Sequence, residues 1–371
     1  MRVTSISLRL VKLPLVKPFS NRWERFESWT KLIVQVTNED GLSGWGECTA
    51  METPYYNSET IDTAWLLIEK FLSPRLLGKE LAAPTDVATS FSDICGNEEA
   101  RGALEVACWD LFARSRNVPL FQLIGGQARE VESGATIGVE DDAAKLLAAV
   151  QVAVDAGYSR IKLKVKPGWD LEPLSVIRRA HAKLKIVADA NGSYSPADLD
   201  KLLALDRFEL LFLEQPFGIH HWPSFARLQA RMGTPLCLDE SIKCVADVEQ
   251  LLELKAARAV NIKLGRVGGM AESLRIYRRC RDEGLGIFIG AKYESGIGRW
   301  TNIALATLPN VAFPSDVAAS DRYFRTDTVI DPVRLVAPGR VAPLSGAGFG
   351  SNVDFAEMDK QTTCLKRLEL Q

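Results

Sequence analysis

Between Ser159 and Gly269 the chain reads, in order, IKLKV (161–165), KIVADA (185–190), LLFLEQP (210–216), PLCLDES (235–241) and AVNIKLG (259–265). Each run is apolar and β-branched, and each carries a charged residue in or just after it. Lys164, Asp189, Glu214 and Asp239 follow one another at intervals of 25 residues, and Lys263 comes after another 24. Such an interval accommodates one strand, one loop and one helix. If the runs are parallel strands of a closed β/α barrel, all five residues stand at neighbouring strand ends. They then face one mouth, where barrel enzymes place their chemistry.

Outward from this stretch the same unit recurs. VESGATIGV (131–139) reads as the first barrel strand and 143–157 as its helix, closed by a glycine. Strands at 159–166, 184–189, 209–214, 235–239 and 258–263 alternate with helices at 172–182, 196–205, 222–231, 245–255 and 270–283. IFIG (287–290) makes a seventh strand, a helix follows at about 297–307, and VAFPSD (311–316) is a weak eighth strand.

Upstream, 1–14, 31–36 and 44–48 read as antiparallel strands around a polar, aromatic loop, PFSNRWERFESWT (18–30). Helical patterns at 58–72, 83–92 and 97–116 complete an α+β domain. The expected architecture is therefore α/β: a modified (β/α) TIM barrel over 127–325 behind an N-terminal α+β capping domain, 1–126, with a lid loop at 18–30. The segment 326–371 is expected to pack back on the cap, and within it 334–354, rich in Gly and Pro, reads as loops and short edge strands. Its GxGxG at 346–350 follows no strand and opens no helix, so it reads as a turn.

Bulk properties exclude several classes. A chain of 371 residues with 47% hydrophobic and 25% charged content suits a globular barrel plus a second domain. A net charge of −2 argues against nucleic acid. No apolar run approaches the ~20 residues of a membrane span, and the alternating N-terminus lacks the features of a signal peptide. The seven cysteines show no CxxC spacing and read as reduced thiols of a cytoplasmic protein. The three histidines, His181, His220 and His221, form no zinc motif. The histidine pair reads as part of a solvated loop.

Three carboxylates converging from adjacent strands suit a hard divalent cation that takes oxygen ligands, Mg²⁺ above all. A substrate carboxylate beside that cation acidifies its α-proton, because the enediolate formed is stabilised by fixed positive charge. The proton needs a base. Lysine titrates near ~10.4 in water, and a neighbouring cation lowers that value. Lys162 and Lys164 lie two apart on one strand and share a face, so Lys164 is the candidate base and Lys162 its electrostatic helper. Lys263 faces it across the mouth, as a second acid/base or as a cation over the intermediate. Singly, each of the five could be a helix cap or half of an ion pair. All five at matching strand ends are hard to produce as caps alone.

At this point KLK (162–164), DAN (189–191), EQP (214–216), LDES (238–241) and NIKLGRVGG (261–269) resemble the muconate-lactonizing-enzyme subgroup of the enolase superfamily. That superfamily's pairing of a lysine or histidine base with Mg²⁺ is an established pattern. PYYNSET (54–60), ALEVACWDL (103–111), ESGIGR (294–299) and SDRYF (320–324) are similar to the branch of o-succinylbenzoate synthases and N-acylamino acid racemases.

The resemblance implies Mg²⁺, with Mn²⁺ as a substitute, on Asp189, Glu214 and Asp239. Lys164 would be the primary base, Asn191 would support the metal shell and Glu240 the second lysine. Arg266 fits the members with racemase activity, and Glu294 and Ser295 fall in the second shell or at the substrate. The implied reaction is dehydration of a cyclohexadiene carboxylate to 2-succinylbenzoate, a menaquinone precursor, with N-succinylamino acid racemisation as a second activity.

The loop 18–30, with Arg22, Trp23, Arg25 and Trp29, would close over the substrate's distal end, although its tryptophans also suit a domain interface. One departure stands out. Where the family commonly has Gly-Gly-Met before Glu-Ser or Glu-Thr, this chain reads Gly290, Ala291, Lys292, Tyr293, Glu294. That lysine either changes the charge of the pocket or points away.

The alternatives are racemisation as the main role, muconate cycloisomerisation, dipeptide epimerisation, or an inactive carboxylate-binding barrel. Epimerases usually carry Asp-x-Asp where this chain has Tyr293, Glu294 and Ser295. The expected partners are a small carboxylate substrate and further copies of the chain, with no nucleic acid and no membrane.

Overall fold

The computed structural model describes residues 1–20, 25–140 and 142–370. Arg22 and Trp23 therefore lie outside the described residues.

Seven parallel strands form the central sheet: Gly134–Ile137, Arg160–Lys164, Lys185–Asp189, Phe212–Glu214, Leu236–Leu238, Ala259–Ile262 and Gly286–Ile289, each beside the next in sequence order. The intervening helices, Ala143–Asp155 through Met270–Asp282, begin and end within one or two residues of the sequence expectation, except around 196–208. There a 3₁₀ turn, one short α-turn and a second 3₁₀ turn replace a single helix.

The expected eighth strand does not form. The segment 311–316 instead makes single parallel bridges from Val311 to Ile287 and from Ser315 to Ser133. Ala312 N–H donates to Ile287 O at 3.1 Å and Ser315 N–H to Glu132 O at 2.9 Å, so the segment joins the seventh strand to the first. Pro314, inside the segment, lacks the amide donor that a full ladder needs, and Pro309 stands just ahead of it.

The cap is built on a four-stranded antiparallel sheet in the order Thr362–Glu369, Val3–Ser20, Arg25–Asn38, Ser43–Cys48. The stretch expected as a loop at 18–30 is largely hairpin: Phe19 pairs with Phe26 and Ser20 with Arg25. The tail is more ordered than its composition implies. After a helix, Phe355–Gln361, the strand Thr362–Glu369 lies antiparallel on the first strand. Gly348 and Gly350 have φ of +68° and +98°, the backbone of a turn.

The helix Glu98–Ser115 packs its small residues against the last strand of the cap sheet. A Cβ on Gly46 would sit 2.1 Å from Ala103 O, and one on Gly44 would sit 2.3 Å from Ala107 O. Two apolar cores follow, one around this cap helix and one around the barrel. All seven cysteines are free thiols. Among the described residues no helix is long and apolar enough to cross a membrane.

Candidate active site

Alternate residues of a strand face the same side. Val187, Phe212, Cys237, Ala259 and Phe288, one from each of five strands, form a dry floor inside the barrel. Two residues further along their strands, Val187, Phe212 and Cys237 give way to Asp189, Glu214 and Asp239. Lys164 pairs across the sheet with Asp189, Asp189 with Glu214, and Glu214 with Cys237. All three carboxylates are buried. Lys164 and Lys263 come from strands on either side of the three acidic strands.

The charges interlock. Lys164 Nζ donates to Asp189 Oδ2 at 2.6 Å and to Asn191 Oδ1 at 2.7 Å. Lys263 Nζ donates to Asp239 Oδ2 at 2.7 Å, and Arg266 binds the other oxygen of the same carboxylate. Lys162 Nζ lies 3.6 Å from Asp189, 3.2 Å from Glu214 and 2.7 Å from Asp316. Burial alone would lower the Lys162 and Lys263 pKa values. Asp316 and Glu214 around Lys162, and Asp239 beside Lys263, outweigh it and hold both above the ordinary lysine value.

Burial, then the adjacent Asp189 carboxylate, pushes Glu214 up to about 8. Burial acts the same way on Asp239, but Arg266 and Lys263 overcome it and leave that carboxyl well below the usual range.

A second layer holds these groups. Asn191 N–H donates to Asp189 Oδ1 at 3.1 Å, and its Nδ2 donates to Glu240 Oε1 at 2.9 Å. Glu240 thus reaches the first lysine through Asn191, and its charge also helps to hold Lys263 protonated, as expected for the second lysine. Arg266 does not face the cavity; its Nε donates to Ile242 O at 2.9 Å. Glu294 and Ser295 also stand behind the wall. Glu294 accepts from the Lys292 amide at 2.8 Å, and Ser295 starts a helix while donating its hydroxyl to Glu47 at 2.6 Å.

Four positions matter that the sequence reading left without a role. Gln215 (φ +38°) accepts the Asp239 amide at 2.9 Å and donates to Ser241 Oγ at 2.7 Å, locking two acidic strand ends together. Asn261 donates to Glu214 at 2.9 Å. Asp316 holds Lys162. Tyr56, from the cap, receives a hydrogen bond on its hydroxyl from Lys263 Nζ at 3.1 Å. The motifs around them were visible, but their partners are remote in sequence.

A cavity of about 390 Å³ opens over the charged cluster. Lys162, Lys164, Asp189 and Lys263 form its floor, and Met51, Tyr56 and Trp29 reach into it from the cap. The Trp29 ring stacks on Tyr293 at 4.9 Å and 8°, and Tyr293 meets Tyr323 edge-on at 4.8 Å. Trp29 is therefore both cap–barrel interface and cavity wall. Arg25 is exposed and pairs with Glu27 at 3.1 Å. His220 and His221 are exposed and do not line the cavity.

The donor set, three buried carboxylates with no sulfur or imidazole, fits a hard divalent cation. In this arrangement each carboxylate is turned onto lysine or arginine. Among the described residues no three acidic, histidine or cysteine side chains close into a cage. The buried Glu240 Oε2 and Asn261 Oδ1 have no hydrogen-bond partner, which leaves unsatisfied oxygen acceptors beside the cluster.

Residues 5–125 match the mandelate racemase / muconate lactonizing enzyme N-terminal domain, and residues 145–358 match the enolase C-terminal domain-like family. An o-succinylbenzoate synthase of Geobacillus kaustophilus is 40% identical over 361 residues, 97% of this chain and 96% of its own length. An N-succinylamino acid racemase of Thermus thermophilus is 35% identical over 362 residues, 98% of each chain. The crystal structure of an enolase superfamily member from Listeria innocua superposes with a TM-score of 0.96 at 36% identity, covering 100% of both chains.

Proposed function

The chain belongs to the mandelate racemase / muconate lactonizing enzyme family of the enolase superfamily, and from that membership we propose that it is an o-succinylbenzoate synthase that also racemises N-succinylamino acids. One observation carries the chemistry: Lys164 and Lys263 line one cavity from strands that flank Asp189, Glu214 and Asp239. The acceptor of the α-proton is Lys164 Nζ, held in place by Asp189 and Asn191. Lys263 stays protonated beside Asp239 and offers positive charge to the other face of the enediolate. In the synthase reaction the ring carbon next to the carboxylate loses its proton to Lys164. The neighbouring hydroxyl then leaves as water with the proton that Lys164 took, giving 2-succinylbenzoate and the free base. In racemisation Lys263 delivers a proton to the face opposite the one Lys164 deprotonated.

Asp189, Glu214 and Asp239 would hold Mg²⁺, or Mn²⁺ in its place, which supplies a Lewis acid to the substrate carboxylate. Trp29, Tyr293 and Tyr323 wall the cavity's distal side and exclude water. The racemase activity rests on the second lysine in the same cavity and on the Thermus relative. In keeping with its free thiols, we place the chain in the cytoplasm and expect a homo-oligomer acting on a small carboxylate.

The test is incubation with Mg²⁺ in deuterated buffer. Conversion of the cyclohexadiene carboxylate to 2-succinylbenzoate, and deuterium entering the α-position of N-succinylamino acids, are the expected results. No exchange into any candidate acid would overturn the proposal and favour a carboxylate-binding barrel.

A further inference from the structure

Lys292 is the departure from the family pattern noted above, and its side chain neither points away nor stands free in the cavity. It lines the cavity wall yet is only 6% exposed, and its ammonium pairs with Glu99, itself 1% exposed. Glu99 lies in the first turn of the cap helix Glu98–Ser115. The same carboxylate accepts from Thr49 Oγ1 and, at 3.3 Å, from Asn57 Nδ2. Those are the two ends of the cap segment that brings Met51 and Tyr56 into the cavity.

Tyr56 sits between two lysines. Lys292 Nζ is 5.5 Å from its ring centroid and Lys263 Nζ 5.6 Å, and its hydroxyl accepts from Lys263. The backbone of Lys292 is also tied down: its amide donates to Glu294, and its carbonyl accepts from the buried Lys31 at 3.3 Å.

We infer that Glu99 and Lys292 form a latch between cap and barrel, a pair of positioning residues that seats the 49–57 segment and through it holds Tyr56 against Lys263. The physical basis is desolvation. Breaking a buried ion pair on one side leaves an uncompensated charge, whereas replacing both partners by neutral groups is far less costly. Lys292→Met alone strands the Glu99 carboxylate at the root of the segment. Glu99→Gln alone strands an ammonium in the cavity wall. The double variant removes both charges, and a glutamine at position 99 keeps a side-chain oxygen to accept from Thr49 and Asn57, so the segment stays seated. If Lys292 served the substrate's carboxylate directly, the double variant would be as impaired as Lys292→Met.

The inference rests on the assignment of Lys164 and Lys263 as bases, and its test separates the two. The four proteins (wild type, Lys292→Met, Glu99→Gln and the double variant) are melted, and Lys292→Arg is included as the charge-conserving control. Each single variant is expected to lower Tm by about 5 °C, with at least half of the loss recovered in the double variant. Additive shifts would overturn the latch whatever the activity.

Solvent-deuterium exchange into each enantiomer of N-succinylphenylalanine is then measured with Mg²⁺. The enantiomer deprotonated at Lys263, identified as the one whose exchange Lys263→Ala removes, should exchange about tenfold more slowly in each single variant. The enantiomer deprotonated at Lys164 should change little, and the double variant and Lys292→Arg should recover. Equal slowing of both enantiomers, or no recovery in the double variant, would overturn the inference. Absence of exchange in the wild type would count against the assigned bases, while the melting cycle would still decide the latch.

Discussion

In the proposed mechanism Lys164 and Lys263 do different work, and arginine separates the roles. Arginine keeps its charge at any accessible pH and cannot act as a base. Lys263→Arg should therefore retain dehydration to within about a hundredfold while losing racemisation by about a thousandfold or more. Lys164→Ala should lose both reactions by a similar or larger factor, and steady-state assays with the two substrate types check this.

The five charged residues at strand ends were legible because each lies at the same point of a repeating unit. Gln215, Asp316 and Glu99 were not. A glutamine that satisfies two amides from the next strand, or an aspartate that reaches a lysine 154 positions earlier in the chain, leaves no local pattern. Tyr293 is similar: its φ of +60° is rare for an aromatic residue, and its ring is held between the stacked Trp29 and the edge-on Tyr323, both remote in sequence.

At the level of elements, close approach and capping dominate. The cap strand Ser43–Cys48 touches the helix Glu98–Ser115 through bare glycine, so Gly46→Ala should destabilise the chain by about 2–4 kcal/mol, read as a lower denaturant midpoint with an unchanged slope.

Glu105 on that cap helix accepts the amides of Met270 and Ala271, the first residues of a barrel helix, and the indole N–H of Trp109. Burial outweighs these donors and pushes its carboxyl up to about 7. A carboxyl whose pKa is raised on folding binds its proton more tightly in the native state. Its contribution is thus fully present below the unfolded value near ~4.5 and is lost as pH rises to about 7. Between pH 5 and pH 8 the wild type should lose on the order of 3 kcal/mol from this group, and Glu105→Gln should flatten that part of a stability–pH curve.

Sequence periodicity located nearly every barrel helix and strand. It failed at 311–316, where hydrophobic character survives but Pro314 lacks a ladder donor, and in the stretch 18–30, where Phe19 and Ser20 pair with Phe26 and Arg25 in a hairpin.

For the whole molecule, the site exists only where cap and barrel meet. Trp29 and Tyr56 belong to the first part of the chain, Lys164 and Lys263 to the second, and Tyr323 to a segment bound to the first strand through Val16 N–H at 2.9 Å. A change from antiparallel to βα patterning was readable in the sequence, and the four-stranded antiparallel sheet and the seven-stranded parallel sheet follow it. The closing strand Thr362–Glu369 was not, since its outer side chains are exposed and its pattern carries no alternation. Removing residues 362–371 should lower Tm and raise protease sensitivity in the cap while the barrel helices persist, as hydrogen exchange would show.

That last strand also orders events in time. Ser5 faces Glu369 across the sheet, so the strand Val3–Ser20 waits for a partner made much later in the chain. Throughout synthesis the edge of the opening hairpin stays bare, while the barrel behind it is free to assemble. Until residues 362–369 are made, the nascent chain carries a sticky border that chaperones must shield.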